Sequence, residues 1–302
     1  MPLTNKNLSM NIKKAVITAG SPSQKSLPLQ SLIDRDGNDK TALQLIVDET
    51  VNAGVEEVCV VICPGEQSNY LKAAGEHASR LTFVEQDNPR GYGDALLRAR
   101  KFIGNETFLH LVSDHVYLSP SQHGYAQQLV EVAMAESCAV SAVQPTRENL
   151  LPYFGTIGGR RIANRSDLYE IKNVVEKPTP TQAEQELIVA GLRVSHYLCF
   201  SGMHVLTPTV IELLEALLAE AKPNESISLS PALETLARRE RYLAAQVKGT
   251  RHNIGVKYGL LKAQLALALA GKDRDEIMVE LLNLVAERHV SDTPFPSTEV
   301  EA

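Results

Sequence analysis

The chain has 302 residues, of which 44% are hydrophobic and 22% charged, and its formal net charge is −6. This length allows one large α/β domain or two small ones, and the even spread of apolar residues favours one. The negative charge, without blocks of Lys or Arg, argues against nucleic acid or an anionic membrane as the main partner.

Several other classes are excluded by the absence of their motifs. No apolar run approaches the length of a membrane span. The four cysteines contain no CxxC pair, which argues against a zinc or redox centre and indicates a reducing compartment. The polar start of the chain does not resemble an export signal, so we expect residues 1–12 to be a flexible leader of a cytoplasmic protein.

The first buried strand is predicted at residues 13–19, where a run rich in β-branched residues ends on Ala19 and Gly20. A polar loop follows at residues 21–25. In an open α/β sheet, ligands bind at the carboxyl ends of the strands, so this loop is expected to border a binding crevice. The alternative is an ordinary strand and turn.

Strands and helices alternate in the next part of the chain. Apolar periodicity predicts helices at residues 41–53 and 68–79, and strands at residues 55–63 and 81–84. The first helix has one apolar face and stops at Gly54. This alternation predicts a mainly parallel sheet with right-handed crossovers.

A glycine-rich loop follows the strand at residues 81–84 and leads to a helix predicted at residues 95–101. The loop begins with Gln86 and contains Gly91 and Gly93. Glycines let a ligand approach the backbone, and the start of the helix can bind an anion through its N–H groups. An ordinary loop also uses glycines, and that alternative stays open.

Asp114 follows the next buried strand, predicted at residues 108–112. A carboxylate at the carboxyl end of a central parallel strand is placed to hold a divalent cation beside phosphates. The alternative is an aspartate that caps the following turn. Its position directly after a buried strand favours the metal site.

A second polar group ends a later strand. After a strand at residues 153–157 and a polar hairpin, the strand that begins at Ile171 ends in Glu176, Lys177 and Pro178. The glutamate can accept hydrogen bonds from hydroxyls, and the lysine offers a cation to phosphate. The pair is therefore a candidate sugar-phosphate clamp, whereas a surface ion pair would contribute little.

The remaining elements complete one domain with helices at its end. Helices are predicted at residues 125–136, 182–189, 209–221, 228–239, 258–270 and 275–289, and strands at 139–143, 196–206 and 243–247. The polar segment 248–255 is interpreted as a loop that closes over the site. The domain boundaries are set at 13–265 for the main domain, 266–290 for a helical extension and 291–302 for a disordered tail. The last helices cover the sheet or form a contact between subunits, and we expect a homo-oligomer.

In this order the motifs resemble those of the sugar-1-phosphate nucleotidyltransferases, in particular the bacterial members that use UTP and glucose 1-phosphate. The resemblance extends from about residue 13 to about residue 264. It rests on a specific order of short motifs: Ala19-Gly20, Leu27-Pro28-Leu29, Gln86 with Gly91 and Gly93, Asp114, Phe154-Gly155, Val175 to Pro178, and Lys248-Gly249.

The resemblance implies a single Rossmann-like domain of the nucleotide-diphospho-sugar transferase type. Such a domain has a mostly parallel mixed sheet flanked by helices, with further helices at the C-terminus. The implied substrates are UTP and a sugar 1-phosphate, whose anomeric phosphate oxygen attacks the α-phosphorus while pyrophosphate leaves. Because that phosphate is already ionised at neutral pH, catalysis would consist of positioning and charge neutralisation.

The resemblance also implies roles for individual residues, with Gln86 reading the pyrimidine edge and Lys177 holding the sugar phosphate. The substrate-binding residues would be Ala19, Gly20, Gln86, Gly91, Gly155, Glu176 and Lys177. The catalytic residues would be Lys25, Asp114 and Lys177. The implied cofactor is Mg²⁺, and its ligands would be Asp114 and Asn253.

Departures from the family pattern fall on the triphosphate and metal side. Pro22 stands in the triphosphate loop where the family has glycine, which removes an N–H donor, and Lys25 replaces an arginine one position late. A Pro-Lys pair has no counterpart, and Asn253 stands where the family has a metal-binding aspartate. One such loss can cost about several hundredfold in rate. The alternative function is therefore a catalytically impaired homologue that binds a sugar phosphate or nucleotide sugar as a regulatory or assembly protein.

Two other enzyme classes fit the pattern less well. An NAD(P) dehydrogenase would need a Gly-x-Gly-x-x-Gly turn after the first strand, and the sequence has none there. A glycosyltransferase with a nucleotide-sugar donor is closer, since Ser113-Asp114-His115 can stand in for an Asp-x-Asp metal site. Release of pyrophosphate or of a nucleoside diphosphate separates a nucleotidyltransferase from a glycosyltransferase.

Overall fold

The computed structural model describes residues 10–290, with side chains up to residue 287. The strands in this range are β1 (Lys14–Thr18), β2 (Ser31–Ile33), β3 (Asp39–Thr41), β4 (Glu57–Ile62), β5 (Leu81–Glu85), β6 (Phe108–Val112), β7 (His115–Leu118), β8 (Ala139–Arg147), β9 (Gly155–Arg161), β10 (Leu168–Glu176), β11 (His196–Leu206), β12 (Tyr242–Ala245) and β13 (Thr250–Asn253). The helices are α1 (Ala42–Asn52), α2 (Gln67–Ala74), α3 (Tyr92–Arg98), α4 (Arg100–Ile103), α5 (Tyr125–Glu136), α6 (Pro180–Glu186), α7 (Thr209–Glu220), α8 (Ser230–Arg239), α9 (Gly259–Leu269) and α10 (Arg274–Val290).

Nine of the strands form one mixed sheet in the order β5-β4-β1-β6-β11-β8-β12-β10-β9. The first four are mutually parallel, as the alternation of strands and helices predicts. β11 is antiparallel to β6 and β8, and β10 is antiparallel to β12 and β9, whereas β8 and β12 are parallel. The predicted fold class, a mixed sheet flanked by helices with further helices at the C-terminus, is confirmed.

Helices cover both faces of the sheet, which explains the apolar character of its central strands. In β1, Ala15 and Ile17 belong to one buried cluster with α1 and α5. Val16, between them, belongs to a second cluster with α3, α7 and α8. Successive side chains of a strand point to opposite faces, so a strand between two helical layers is apolar at every position.

The first helix shows why the local prediction succeeds. Thr41 caps α1 by accepting a hydrogen bond from the N–H of Gln44 at 3.1 Å, and the Gln44 side chain accepts one from the Thr41 N–H at 2.7 Å. This reciprocal pair satisfies donors that the first turn of a helix leaves free. The helix ends just before Gly54, whose φ of +88° favours glycine.

Two short two-stranded sheets lie apart from the main sheet. β2 pairs with β3, and β7 pairs with β13. Residues 250–253, predicted as part of a closing loop, therefore form a strand held against β7. The prediction was wrong because this segment is polar, and its partner strand lies more than a hundred residues earlier in the chain. The helix predicted at residues 95–101 also begins earlier, at Tyr92.

The C-terminal helices continue from this small sheet. Ala263 and Leu267 of α9 pack in a separate buried cluster with Leu32, Val116 and Ile254. The predicted boundary between residues 265 and 266 falls inside α9. Several apolar side chains of α10 are exposed, namely Met278, Val279, Leu282, Leu284 and Val285. The expected homo-oligomer stays a prediction.

The predicted tail at residues 291–302 and residues 1–9 of the predicted leader lie outside the described residues. Among the helices of residues 10–290, none combines the length and apolar composition that crossing a bilayer requires.

Candidate functional site

A cavity of about 450 Å³ opens at the carboxyl ends of β1 and β6. It is lined by residues from three segments, 18–24, 86–95 and 112–114. Because β1 and β6 are parallel neighbours, the loops that follow them meet at the same edge of the sheet. The predicted site residues that line this cavity are Ala19, Gly20, Gln86, Gly91 and Asp114.

A larger cavity of about 600 Å³ lies elsewhere, beside α1 and β7. Charged side chains line it, among them Arg35, Lys40 and Glu49, and none of the predicted site residues does. Glu49 there accepts a hydrogen bond from the Ala126 N–H at 3.1 Å, in the first turn of α5. This contact joins α1 to α5. Because the predicted site residues line only the strand-end cavity, we assign the candidate site to that cavity.

Gln86 closes one wall of the strand-end cavity directly beside Gly20. The residue is 2% exposed, and its Oε1 atom occupies the space where a Cβ atom on residue 20 would lie. Only glycine allows this approach without displacing the Gln86 side chain. Backbone hydrogen bonds fix both segments, from the Ala19 N–H to the Val61 carbonyl at 2.7 Å and from the Gln86 N–H to the Ile62 carbonyl at 2.9 Å.

The glycine-rich loop is shaped by another segment of the chain. Gly91 has a φ of +105°, and a Cβ atom there or at Gly93 would contact the backbone of Ile227. The Gly93 N–H donates to the Ile227 carbonyl at 2.8 Å. The glycines are thus explained by close packing of chain segments, as in the ordinary-loop alternative. Gly91 nevertheless lines the cavity, and its carbonyl accepts a hydrogen bond from the Gln86 amide at 3.3 Å.

Asp114 is the only charged residue among the described residues that line the cavity. Its Oδ1 lies 2.8 Å from His115 Nδ1, and the Gln24 amide donates to its Oδ2 at 3.4 Å. Burial by itself would raise the pKa of Asp114, but the hydrogen bond and charge interaction with His115, helped by Arg251, outweigh it. The pKa therefore lies below its usual value, and the carboxyl is ionised at neutral pH.

Asn253 lies near Asp114 but does not line the cavity. In the pairing of β13 with β7 it stands opposite His115, and the next residue, Ile254, donates its N–H to the Asp114 carbonyl at 2.8 Å. The Asn253 Oδ1 atom accepts a hydrogen bond from the Gly255 N–H at 2.7 Å. The tertiary structure therefore brings the two predicted metal ligands to the same end of β7.

The donor set suits a Mg²⁺ ion that the substrate helps to hold. Within residues 10–290, no three His, Cys, Asp or Glu side chains converge on a closed metal centre. Mg²⁺ keeps several waters and commonly takes one or two carboxylates together with substrate phosphates. The ionised Asp114 and the amide oxygen of Asn253 fit this pattern, with a single negative charge from the protein.

The predicted sugar-side residues form a second group beside the cavity. Gly155 and Glu176 are paired across β9 and β10. A Cβ atom on Gly155 would lie 3.0 Å from the Phe200 ring and 3.1 Å from both the Glu176 carboxylate and Ser230 Oγ. Ser230, at the start of α8, donates a hydrogen bond to Glu176 Oε2. The exposed Lys177 follows with a φ of +49°.

Tyr92 connects the two groups. It lines the cavity, and burial raises its pKa well above the usual value, with further contributions from the charges of Asp114 and Glu176. The Tyr92 hydroxyl also lies 3.3 Å from His110 Nδ1, and the His110 ring stacks on His204, which contacts Phe200 beside Gly155. Gly155, Glu176 and Lys177 do not line the cavity. The structure thus gathers the predicted nucleotide-side residues in one cavity and the predicted sugar-side residues next to it.

Lys25 lies outside both groups. Its ammonium group forms an ion pair with Glu66 Oε1 at 2.6 Å, and 48% of its side chain is exposed. The hydrogen bond with Glu66 raises the pKa of Lys25, so the lysine is charged, but this charge is already paired. Lys25 does not line the cavity, and the described lining residues include no other Lys and no Arg.

Arg251 is a candidate functional residue that the sequence analysis did not single out. Its guanidinium carbon lies 3.9 Å from the centre of the Phe154 ring, and Nη1 donates to the Phe200 carbonyl at 3.0 Å. Its charge also lowers the pKa of Asp114. Arg251 thus lies between the metal side and the sugar side. The signal in the sequence was weak, since one arginine in a polar segment is ordinary.

The chain was compared with known proteins. A family model described as Nucleotidyl transferase matches residues 35–268. The chain is 28% identical to the UTP–glucose-1-phosphate uridylyltransferase of Streptococcus pneumoniae serotype 4 over 308 residues, which cover 93% of this chain and 98% of that protein. It is 27% identical to the UTP–glucose-1-phosphate uridylyltransferase 2 of Streptococcus pyogenes serotype M3 over 301 residues, which cover 90% of this chain and 96% of that protein.

The fold is also similar to a solved structure. A UDP-glucose pyrophosphorylase complexed with UDP-glucose superimposes with a TM-score of 0.69 and 26% sequence identity, covering 85% of this chain and 98% of the other. Sequence and fold therefore agree with the motifs. The family model matches most of the length of the chain. The chain therefore belongs to the nucleotidyl transferase family.

Proposed function

We propose that the protein condenses UTP with glucose 1-phosphate, giving UDP-glucose and pyrophosphate. The observation that carries this proposal is the strand-end cavity, where Gln86 lies beside Gly20 and Asp114 lines the same cavity. The relatives named UTP–glucose-1-phosphate uridylyltransferase support the choice of substrates.

In this proposal each predicted site residue has one task. The uridine contacts Ala19, Gly20, Gln86 and Gly91, and the sugar lies against Gly155 and Glu176. Lys177 holds the sugar phosphate, and Lys25 belongs to the loop nearest the triphosphate. Asp114 and Asn253 hold Mg²⁺, which supplies charge neutralisation on the phosphates of the nucleotide.

The reaction needs no general base. The anomeric phosphate oxygen forms a new bond to the α-phosphorus, while the bond from that phosphorus to the oxygen bridging to the β-phosphate breaks. Pyrophosphate leaves with the electron pair of the broken bond. The attacking oxygen is already ionised at neutral pH, so the protein contributes alignment and electrostatic stabilisation.

A second candidate function is a homologue that binds the nucleotide sugar and turns over poorly. Two observations favour it: Lys25 is paired with Glu66, and the described cavity lining has Asp114 as its only charged residue. Preorganised cations on a transferring phosphoryl group are among the larger contributions to catalysis. A cavity without them is expected to hold the uridine and sugar parts better than it holds a triphosphate.

The test is pyrophosphate release from UTP and glucose 1-phosphate with Mg²⁺ present, and its control omits the sugar phosphate. Release in a one-to-one ratio with UDP-glucose formation is expected. No release with glucose 1-phosphate or any other common sugar 1-phosphate contradicts the proposed enzyme. Calorimetry then separates the second candidate, for which UDP-glucose binds strongly and UTP weakly.

A further inference from the structure

The loop before α3 contains a buried carboxylate to which the proposed reaction assigns no role. Asp94 is 1% exposed and does not line the cavity. Its Oδ2 atom accepts a hydrogen bond from Gln86 Nε2 at 2.6 Å and from the Arg90 N–H at 3.3 Å. Its Oδ1 atom accepts one from Arg98 Nη2 at 3.1 Å. All the described contacts of this carboxylate therefore fix groups around the loop.

These contacts decide which end of the Gln86 amide faces the ligand. A carboxylate only accepts hydrogen bonds, so the nitrogen of the Gln86 amide must face Asp94. The carbonyl of Gly91 accepts from the same nitrogen at 3.3 Å. A rotated amide would set its oxygen against two acceptor oxygens in a buried place, which is strongly unfavourable. The Oε1 atom consequently lies on the Gly20 side, at the wall of the cavity.

We propose that Asp94 is a positioning residue that determines base specificity. By holding the nitrogen of Gln86, it leaves only a hydrogen-bond acceptor facing the base, which selects bases that carry an imide N–H. This inference rests on the proposed function, in which Gln86 reads the edge of the pyrimidine. Uracil carries an N–H donor at N3, which can donate to the Oε1 atom. Neutral cytosine has a lone pair at N3, so two hydrogen-bond acceptors would face each other and repel.

The substitution Asp94→Asn tests this role with an almost unchanged shape. The Arg98 guanidinium keeps the oxygen of the new amide on its side, so the NH₂ group turns towards Gln86 and the weaker hydrogen bond from the Arg90 N–H is lost. The Gln86 amide then rotates and presents its nitrogen to the cavity, where it can donate to N3 of cytosine. The ratio of the CTP to the UTP dissociation constant should decrease by at least about tenfold.

The experiment is calorimetric titration of the full-length protein with UTP and with CTP. Asp94→Glu keeps a group that only accepts and should retain the preference for UTP. Asp167→Asn is the matched control, because Asp167 is paired with Arg165 at the surface with 52% of its side chain exposed. Asp94→Ser removes the charge with a smaller side chain and replaces Asp94→Asn in the titration if the latter does not fold.

The outcomes separate this inference from the proposed function. A change in the nucleotide ratio for Asp94→Asn alone supports the role of Asp94. A loss of affinity shared equally by UTP and CTP indicates a structural role and overturns the inference, as does an unchanged ratio. Wild-type protein that binds neither UTP nor UDP-glucose overturns the proposed function and the inference with it.

Discussion

The two halves of the candidate site differ in charge. The cavity at the ends of β1 and β6 has Asp114 as the only charged residue of its described lining. The neighbouring group around Gly155 includes Glu176 and Lys177, and Arg251 stacks on Phe154 beside it. Phosphate groups are bound by cations and N–H donors, and the group around Gly155, which is the predicted sugar half, offers more cations than the cavity does. In this fold the residues that shape the strand-end cavity are therefore not the residues that carry positive charge.

The largest effect is expected for Asp114→Asn. The substitution keeps the shape and removes the only charge of the described cavity lining. Activity with Mg²⁺ should decrease by about a hundredfold or more, since a preorganised charge at a phosphoryl centre has effects of this size. Steady-state kinetics provide the measurement, with Asp167→Asn as the control. An unchanged kcat would mean that the charge of this cavity takes no part in the reaction.

Buried histidines connect the two halves. His110 Nε2 lies 3.4 Å from Thr18 Oγ1, and His110 Nδ1 lies 3.3 Å from the Tyr92 hydroxyl. The His110 ring stacks on His204 at 5.8 Å, and His204 in turn contacts Phe200. Burial lowers the pKa of His204 to about 3, and burial with the neighbouring His204 lowers that of His110 well below its usual value.

These pKa values predict how the free energy of unfolding depends on pH. Below about pH 6.5 the histidines of the unfolded chain take up protons that the folded protein does not bind. The free energy of unfolding should therefore decrease as the pH is lowered from about 6.5 to 4, by up to about 1.4 kcal/mol per pH unit for each histidine. Urea unfolding at several pH values measures this slope.

Variants of single histidines locate the origin of the slope. His204→Gln should reduce it by the share of one histidine. Equal slopes for wild type and His204→Gln would show that the buried histidines do not control the acid sensitivity.

A smaller effect is expected for Asn253→Asp, which adds a second carboxylate near Asp114. An aspartate can still accept the hydrogen bond from the Gly255 N–H, so the local turn should be retained. Turnover should increase by about tenfold, and half-maximal activity should need less Mg²⁺. The exposed Asn149→Asp provides the control for added charge. A decrease in turnover would place Asn253 outside the metal site.

The smallest effect is expected for Glu66→Gln, which releases Lys25 from its ion pair. The freed ammonium group should improve UTP affinity by no more than about fivefold, because exposed ion pairs are weak. The KM for UTP should change while that for the sugar phosphate stays constant. Glu106→Gln, which breaks the ion pair with Lys14, is the control. An equal change in both KM values would contradict the separation of the two halves.

The sequence by itself determined the elements whose signals are local. The apolar run of β1, the capped and amphipathic α1 and the helix α5 at Tyr125–Glu136 were predicted close to their observed bounds. Periodicity, caps and glycine stops involve residues within a few positions of each other, so they can be detected in one chain. The order of short motifs likewise led to the family that the comparisons confirm.

Only the tertiary structure decided the contacts that give the site its chemistry. The pairing of β13 with β7 places Arg251 against Phe154. Glu66 forms an ion pair with Lys25, from which it is separated by 41 positions in the chain. Asp94 is near Gln86 in sequence, yet the role proposed for it depends on burial and on which amide atom it faces. Such partners are chosen by packing between distant segments, and composition and periodicity do not encode where a side chain points once the segments have met.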